Sequence, residues 1–378
     1  MYMAAGAEDG DVNGLLKAGY ARLYAKSGTD WNMIQQINGT RSAGGFGRSL
    51  DISHDGAMLA ISGFGTPVYI YELSNTTFLY ELLYTIDDVS AWEVSMSGDG
   101  MVVGVTSTSR FVGSSIFERI GDGFQQRGAD IPDYGYFSGI ALNYDGSIVI
   151  VGDRNWSPDT ATNIGRAAVF QWSIVNDDGF MLWVQMGSDI TGVAAYDNLG
   201  NVGCVSITHD GLTVAIGASG YDRDGLWSRG LVRVYNHDSI SNTWNKIGSD
   251  LVGDNAYNRF SKTSLSSDGT YLAVGGYDTG DYVKLFAKNG DNYEAVGDTI
   301  IGEGGDRFGF SVDMSADTSA LVVSDYSFVG YKGKVYLYDT FLSSPTSVPQ
   351  SSSMVSINPT ASNAKSSLIC MLLLWMFL

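Results

Sequence analysis

The chain reads as an all-β protein: a β-propeller of seven blades, each of four antiparallel strands, with incomplete first and last blades. Three observations carry that reading. The composition is rich in Gly (48 residues), with only 6 Pro and 17% charged residues, as many short strands joined by tight turns require. No long stretch before the C-terminus sustains a helical period. One phrase also recurs: "FGRSLDISHDGAMLAISG", beginning at Phe46, returns as "FGFSVDMSADTSALVVSD", beginning at Phe308.

Taken in order, the opening "YMAAGAEDGDVNGLLKAGYARLYAKSGTDWNMIQQI" supplies a second, third and fourth strand but no first. Six copies of the phrase follow, with turns at Asp55, Asp99, Asp145, Asp210, Asp268 and Asp317. Period-two runs flank each turn, as in "SLDIS" before and "MLAISG" after. Asp caps such a hairpin and Gly takes its positive φ, so these aspartates are read as turn-shaping residues. Third strands follow, such as "GLVRVYN" (230–236) and "GKVYLYD" (333–339), and fourth strands such as "TWNKIGSDL" (243–251). A repeated four-stranded unit is a propeller blade, which must pack around an axis to cover both of its faces. The last copy supplies three strands and then passes into Ser, Thr and Pro. The propeller is assigned residues 1–342, and a start within a repeat suggests a chain truncated upstream.

The "FGxS…DGxxLAxxG…GxVxVY…W" pattern resembles the FG-GAP propellers of integrin α-subunit heads. It is closer still to the uncharacterised SxDG-repeat propellers of diatoms and bacteria. The resemblance covers about residues 2–340 and is specific for fold, not activity. It implies a calcium loop, D-x-D/N-x-D-G-x-x-D, between the first two strands of a blade, because a hard cation needs several converging oxygens. Here the first ligand position survives only as Asp51 and Asp313, and the ninth is always Leu or Val. The turns are therefore structural remnants of such loops. Calcium candidates lie elsewhere: Asp9, Asp11 and Asn13 in "DGDVNG", whose twelfth position is Tyr20 instead of Glu, and Asp222 and Asp224 in "YDRDG". No cofactor is required on this reading.

With 41 acidic and 22 basic residues, the net charge of −19 argues against nucleic acid as a partner. The two cysteines, Cys204 and Cys370, imply no disulfide framework. Loops joining second to third strands share one face with the crossovers between blades. That face carries Trp156, Trp227, Tyr196 and Tyr257 among carboxylates, a recipe for binding a protein or glycan. Only three histidines exist, and His54 and His209 read as turn residues. No GxSxG elbow, HExxH pair or Walker loop occurs.

Residues 343–367 read as a Ser/Thr/Pro-rich stalk, and 368–378 ("LICMLLLWMFL") as a hydrophobic tail like a GPI-attachment signal. Ser351, Ser352 and Ser353, or Ala361, Ser362 and Asn363, are the small-residue candidates for attachment. Asn38, Asn75 and Asn155 open N-glycosylation sequons. An exported protein should carry a signal peptide, and "MYMAAGAEDGD" is not one. The expectation is thus a monomeric, membrane-anchored, extracellular propeller that serves non-enzymatically in binding or adhesion. One alternative is an extracellular hydrolase or lyase, favoured by convergent carboxylates near the axis and opposed by a purely apolar axis. The other is an intracellular interaction scaffold.

Overall fold

In the computed structural model seven four-stranded antiparallel sheets surround one axis, as the repeat requires. The structure describes all residues except 29, 88, 110–111, 133, 135–137, 159–161, 176–178, 224, 304–306, 327–332, 340–349, 354–367 and 372–378, and only the backbone of Gln350–Ser353 and Leu368–Met371. The innermost strands of blades two to seven are Ser49–Ile52, Ala91–Met96, Ile140–Leu142, Val205–Ile207, Phe260–Leu265 and Phe308–Met314. The first and last blades have three strands from their own repeats, and each receives a short fourth. Gln350–Ser353 pairs outside Lys334–Asp339, and Leu368–Met371 pairs with Tyr2–Ala7 at the axis. The segments read from composition as stalk and tail thus contribute strands to the last and first blades.

Burial follows from this arrangement. Second strands such as Met58–Ser62 and Thr213–Ala218 are covered on both faces, which is why they read as continuous apolar runs. Each pair of adjacent blades shares its own apolar core. Between blades four and five, Ile150 and Val169 pack with Val214 and Ile216. Met3 and Tyr20 of blade one pack with Val322 and Leu337 of blade seven, which closes the ring.

The "FG" of the phrase has a steric reason. Gly47 (φ +84°) lies against Gly6 of the preceding blade, where a Cβ on Gly6 would fall 1.8 Å from the Gly47 carbonyl oxygen. Close backbone approach between blades demands glycine there.

The turns carry one hydrogen-bond pattern. In the first full copy Asp55 Oδ1 accepts from Ser53 Oγ (2.6 Å) and from the Ala57 amide (2.8 Å), while Ser53 Oγ accepts from the Met58 amide (2.9 Å). The same set recurs around Asp99 and Asp268. The aspartates shape turns, as their sequence context indicates.

Candidate functional site in the axial channel

Innermost strands present alternate residues to the axis. Four residues before each turn aspartate stand Asp51, Ser95, Ala141, Ser206, Ser264 and Asp313; six before stand Ser49, Glu93, Gly139, Cys204, Lys262 and Ser311. Several of these side chains tie neighbouring blades together. Ser49 Oγ accepts from the Val94 amide (3.1 Å), Asp51 Oδ2 from Met96 (2.7 Å), Ser95 Oγ from Leu142 (3.1 Å) and Ser264 Oγ from Met314 (2.9 Å). These bonds satisfy amides that the short inner strands would otherwise leave unpaired. Asp51 is thus a structural carboxyl, raised to about 7 by burial against the opposing pull of the Met96 and Ile52 amides.

Glu93 and Lys262 differ from the rest of their ring. Both line an axial cavity of about 160 Å³. Glu93 Oε1 accepts from the Gly203 amide at 3.2 Å, and the Lys262 ammonium donates to the Val202 carbonyl. Val202 C=O and Gly203 N–H belong to one peptide group, so a single peptide links the acid to the ammonium. Glu93 Oε2 is buried without a hydrogen-bond partner. Burial raises the Glu93 carboxyl to about 8, against the pull of Lys262, the Gly203 amide and Arg48. For Lys262, burial acts downward and the acids Cys204, Tyr277 and Glu93 act upward, with a net rise that favours the ammonium. The rings of Tyr277 and Phe310, each 5.1 Å from its nitrogen, favour that charge.

The two ends of the cavity differ. At the start of the inner strands Arg48 stacks 3.7 Å over Trp92 and pairs with Glu8 (2.5 Å). At the turn end His54, Tyr144 and His209 gather, with the two Nε2 atoms 2.9 Å apart. Both histidines do sit in turns, as read from sequence, but they also meet across the axis.

The candidates named from sequence are dispersed. Asp9 pairs with Lys17 (3.1 Å), Asp11 caps the Lys17 amide (2.8 Å), and Asn13 adopts a left-handed φ of +48°. Asp222 accepts from the Ser228 amide, and Asp224 lies outside the described residues. Among the described residues no three His, Cys, Asp or Glu side chains converge to hold a metal ion. Tyr196, Trp227 and Tyr257 are exposed on the loop face, while Trp156 is half-buried beneath Arg166. None of the four lines the axial cavity. Asn38 and Asn75 are exposed and Asn155 half-buried; Ser351, Ser352 and Ser353 lie in the outer strand of blade seven; Ala361, Ser362 and Asn363 lie outside the described residues. No described helix is long and apolar enough to cross a membrane.

The fold and channel define a seven-bladed propeller with an acid and an ammonium facing one axial cavity. No protein-family model and no curated protein matches the chain. Among solved structures it is similar to the periplasmic gluconolactonase PpgL of Pseudomonas aeruginosa (11% identity, 97% of this chain and 99% of that one, TM-score 0.64). It is also similar to provisionally assigned 6-phosphogluconolactonases of Bacteroides fragilis (13%, 97% and 98%, 0.59) and Bacteroides uniformis (14%, 97% and 99%, 0.60). At such identities the likeness establishes the fold.

The expectation of a non-enzymatic adhesion module is corrected here. The axis is not purely apolar but carries Asp51, Glu93, Asp313 and Lys262, and three of the propellers matched over nearly the whole chain bear the names of lactonases. Glu93 and Lys262 were missed because no local motif surrounds them. The available signal was the aligned column six residues before each turn aspartate, where the other copies have Ser, Gly or Cys.

Proposed function

We propose that the protein is a hydrolase that opens a small cyclic ester, a lactone, in the axial cavity. The observation that carries this reading is the buried Glu93 Oε2, without a partner, beside the Lys262 ammonium in one cavity. Lactone hydrolysis needs those two functions. Lys262 stabilises the oxyanion that forms when water attacks the acyl carbon. Glu93 in its acid form gives a proton to the ring oxygen as the acyl C–O bond breaks, and recovers one from the added water. Water is consumed, a hydroxy acid leaves, and Glu93 returns to its starting state. A cavity of about 160 Å³ suits a substrate no larger than a small sugar ring, and the lactonase names of the similar propellers support that class.

The test is proton release on mixing purified protein with five- and six-membered aldonolactones. Glu93→Gln and Lys262→Met are expected to fold normally and to lose about 10²- to 10⁴-fold in kcat. Full activity in both variants, or no turnover of any lactone by the parent chain, overturns the reading.

A further inference from the structure

Building on the lactone reading of the axial cavity, we infer that the hydroxyls of Ser206 and Thr263 choose among lactones. They take up hydroxyls of the substrate ring, so that a sugar lactone is preferred to an unsubstituted one. Both residues line the cavity, and Ser206 Oγ and Thr263 Oγ1 are buried without a hydrogen-bond partner. Most buried polar side-chain atoms are paired, and each exception calls for a reason. Here the missing partner arrives with the substrate.

The other copies of the repeat show that the fold does not need these hydroxyls. Ser206 stands four residues before its turn aspartate, as do Ser95 and Ser264. Ser95 Oγ accepts from the Leu142 amide and Ser264 Oγ from the Met314 amide, each in the next blade. The equivalent amide for Ser206 is that of Leu265, and Ser206 Oγ does not bond it. Thr263 stands five residues before its aspartate, where the other copies have Leu50, Val94, Ile140, Val205 and Val312. Those five pack in the apolar cores. An aliphatic side chain thus serves the fold at that place, and packing does not call for a hydroxyl.

Both residues are tied to the acid and the ammonium. Glu93 Oε1 accepts from the Gly203 amide, and the Gly203 carbonyl accepts from the Thr263 amide (3.2 Å). Thr263 follows Lys262 in the chain, and Ser206 lies three residues beyond Gly203 on the innermost strand of blade five. Solvent meets such hydroxyls when no ligand is bound. A ligand hydroxyl reproduces that hydrogen bond, whereas a methylene forfeits it. In this way a site built to bond a hydroxyl rejects the analogue that lacks one. A side-chain hydroxyl is neutral and both donates and accepts, which matches a sugar hydroxyl better than an anionic substituent.

The experiment compares the parent with Ser206→Ala and Thr263→Val on δ-gluconolactone and on δ-valerolactone, which has no ring hydroxyl. Each variant should lose about tenfold in kcat/KM on the hydroxylated ring and keep the parent's value on the bare one. If δ-valerolactone turns over too slowly to measure, its Ki as a competitor of δ-gluconolactone replaces kcat/KM. Equal loss on both rings, or no loss on either, overturns the inference. Calorimetric binding of δ-gluconolactam, which keeps the hydroxyls but resists hydrolysis, separates this inference from the hydrolase reading. Binding weakened about tenfold in each variant, with no lactone turned over by the parent, supports the hydroxyl pair and overturns the hydrolase. Turnover unchanged in both variants overturns the pair alone, and neither turnover nor binding overturns both. The two variants should melt no lower than the parent, because an unpaired buried hydroxyl adds nothing to the folded state and Ala141 already fills the place of Ser206 in blade four. A variant that does not fold would make its hydroxyl structural and overturn its part in selection.

Discussion

A carboxyl buried with no counter-ion in hydrogen-bonding contact keeps its proton until the pH is well above its ordinary range. Glu93 titrates at about 8 and Asp51 at about 7 in the folded chain, both raised by burial, against roughly 4 when unfolded. Between these values the folded state holds more protons than the unfolded state, so these groups' contribution to stability is complete below pH 4 and is lost as pH rises through 7 to 8. His54 acts oppositely: its depressed pKa makes a contribution present above about 6.5 and lost as pH falls towards 4. Of these three groups, only the carboxyls act between pH 7 and 9. The melting temperature should fall across that window, and less steeply in Glu93→Gln. An identical slope in that variant would show that Glu93 is not a buried acid. Neither Glu93 nor the meeting of His54 with His209 could be read along the chain, because both depend on which blades face one another across the axis.

Individual elements were more legible, because turn chemistry is local. "SxDG" specifies a capping Asp, a bonding hydroxyl and a left-handed residue within four positions, and the structure repeats that unit blade after blade. Short strands completing the end blades were not legible: Gln350–Ser353 has no apolar alternation, and Leu368–Met371 sits in a run whose hydrophobicity suits a tail equally well. The sixth turn departs from the pattern in an instructive way. Thr318, at φ +59°, stands where the other copies have glycines, such as Gly56 at +71° and Gly269 at +70°. A left-handed conformation costs a side-chain-bearing residue roughly 1–2 kcal/mol, and a β-branched one is a clear outlier there. The flexibility of glycine returns about 0.5–1 kcal/mol of that relief to the unfolded state. Thr318→Gly should therefore stabilise the protein by up to about 1 kcal/mol, and the reverse change, Gly269→Thr, should destabilise it. Denaturant midpoints measured at constant slope decide the point. A lower midpoint for Thr318→Gly would mean that the exposed bond from Thr318 Oγ1 to the Asp317 carbonyl (2.7 Å) outweighs the backbone strain.

For the molecule as a whole, electrostatics sets long-range repulsion against short-range pairing. A net charge of −19 is spread over a ring whose blades are held by separate cores, so mutual repulsion among carboxylates opposes compaction. Against it stand close pairs such as Arg166–Asp189 (2.9 Å), Arg233–Asp250 (2.8 Å) and Lys284–Asp254 (2.6 Å). Salt does not weaken the two equally. Raising ionic strength from 0.01 to 0.15 M shortens the screening length from about 30 to about 8 Å. Repulsion between blades acts beyond the shorter length and is largely removed, whereas pairs in direct contact lie well inside it and keep most of their attraction. The melting temperature should therefore rise over that interval, with most of the gain below 0.15 M. A fall would mean that partly buried pairs such as Arg233–Asp250, which joins two strands of blade five, stabilise the fold more than mutual repulsion opposes it. Neutralising that pair as Arg233→Met with Asp250→Leu should then remove the salt dependence.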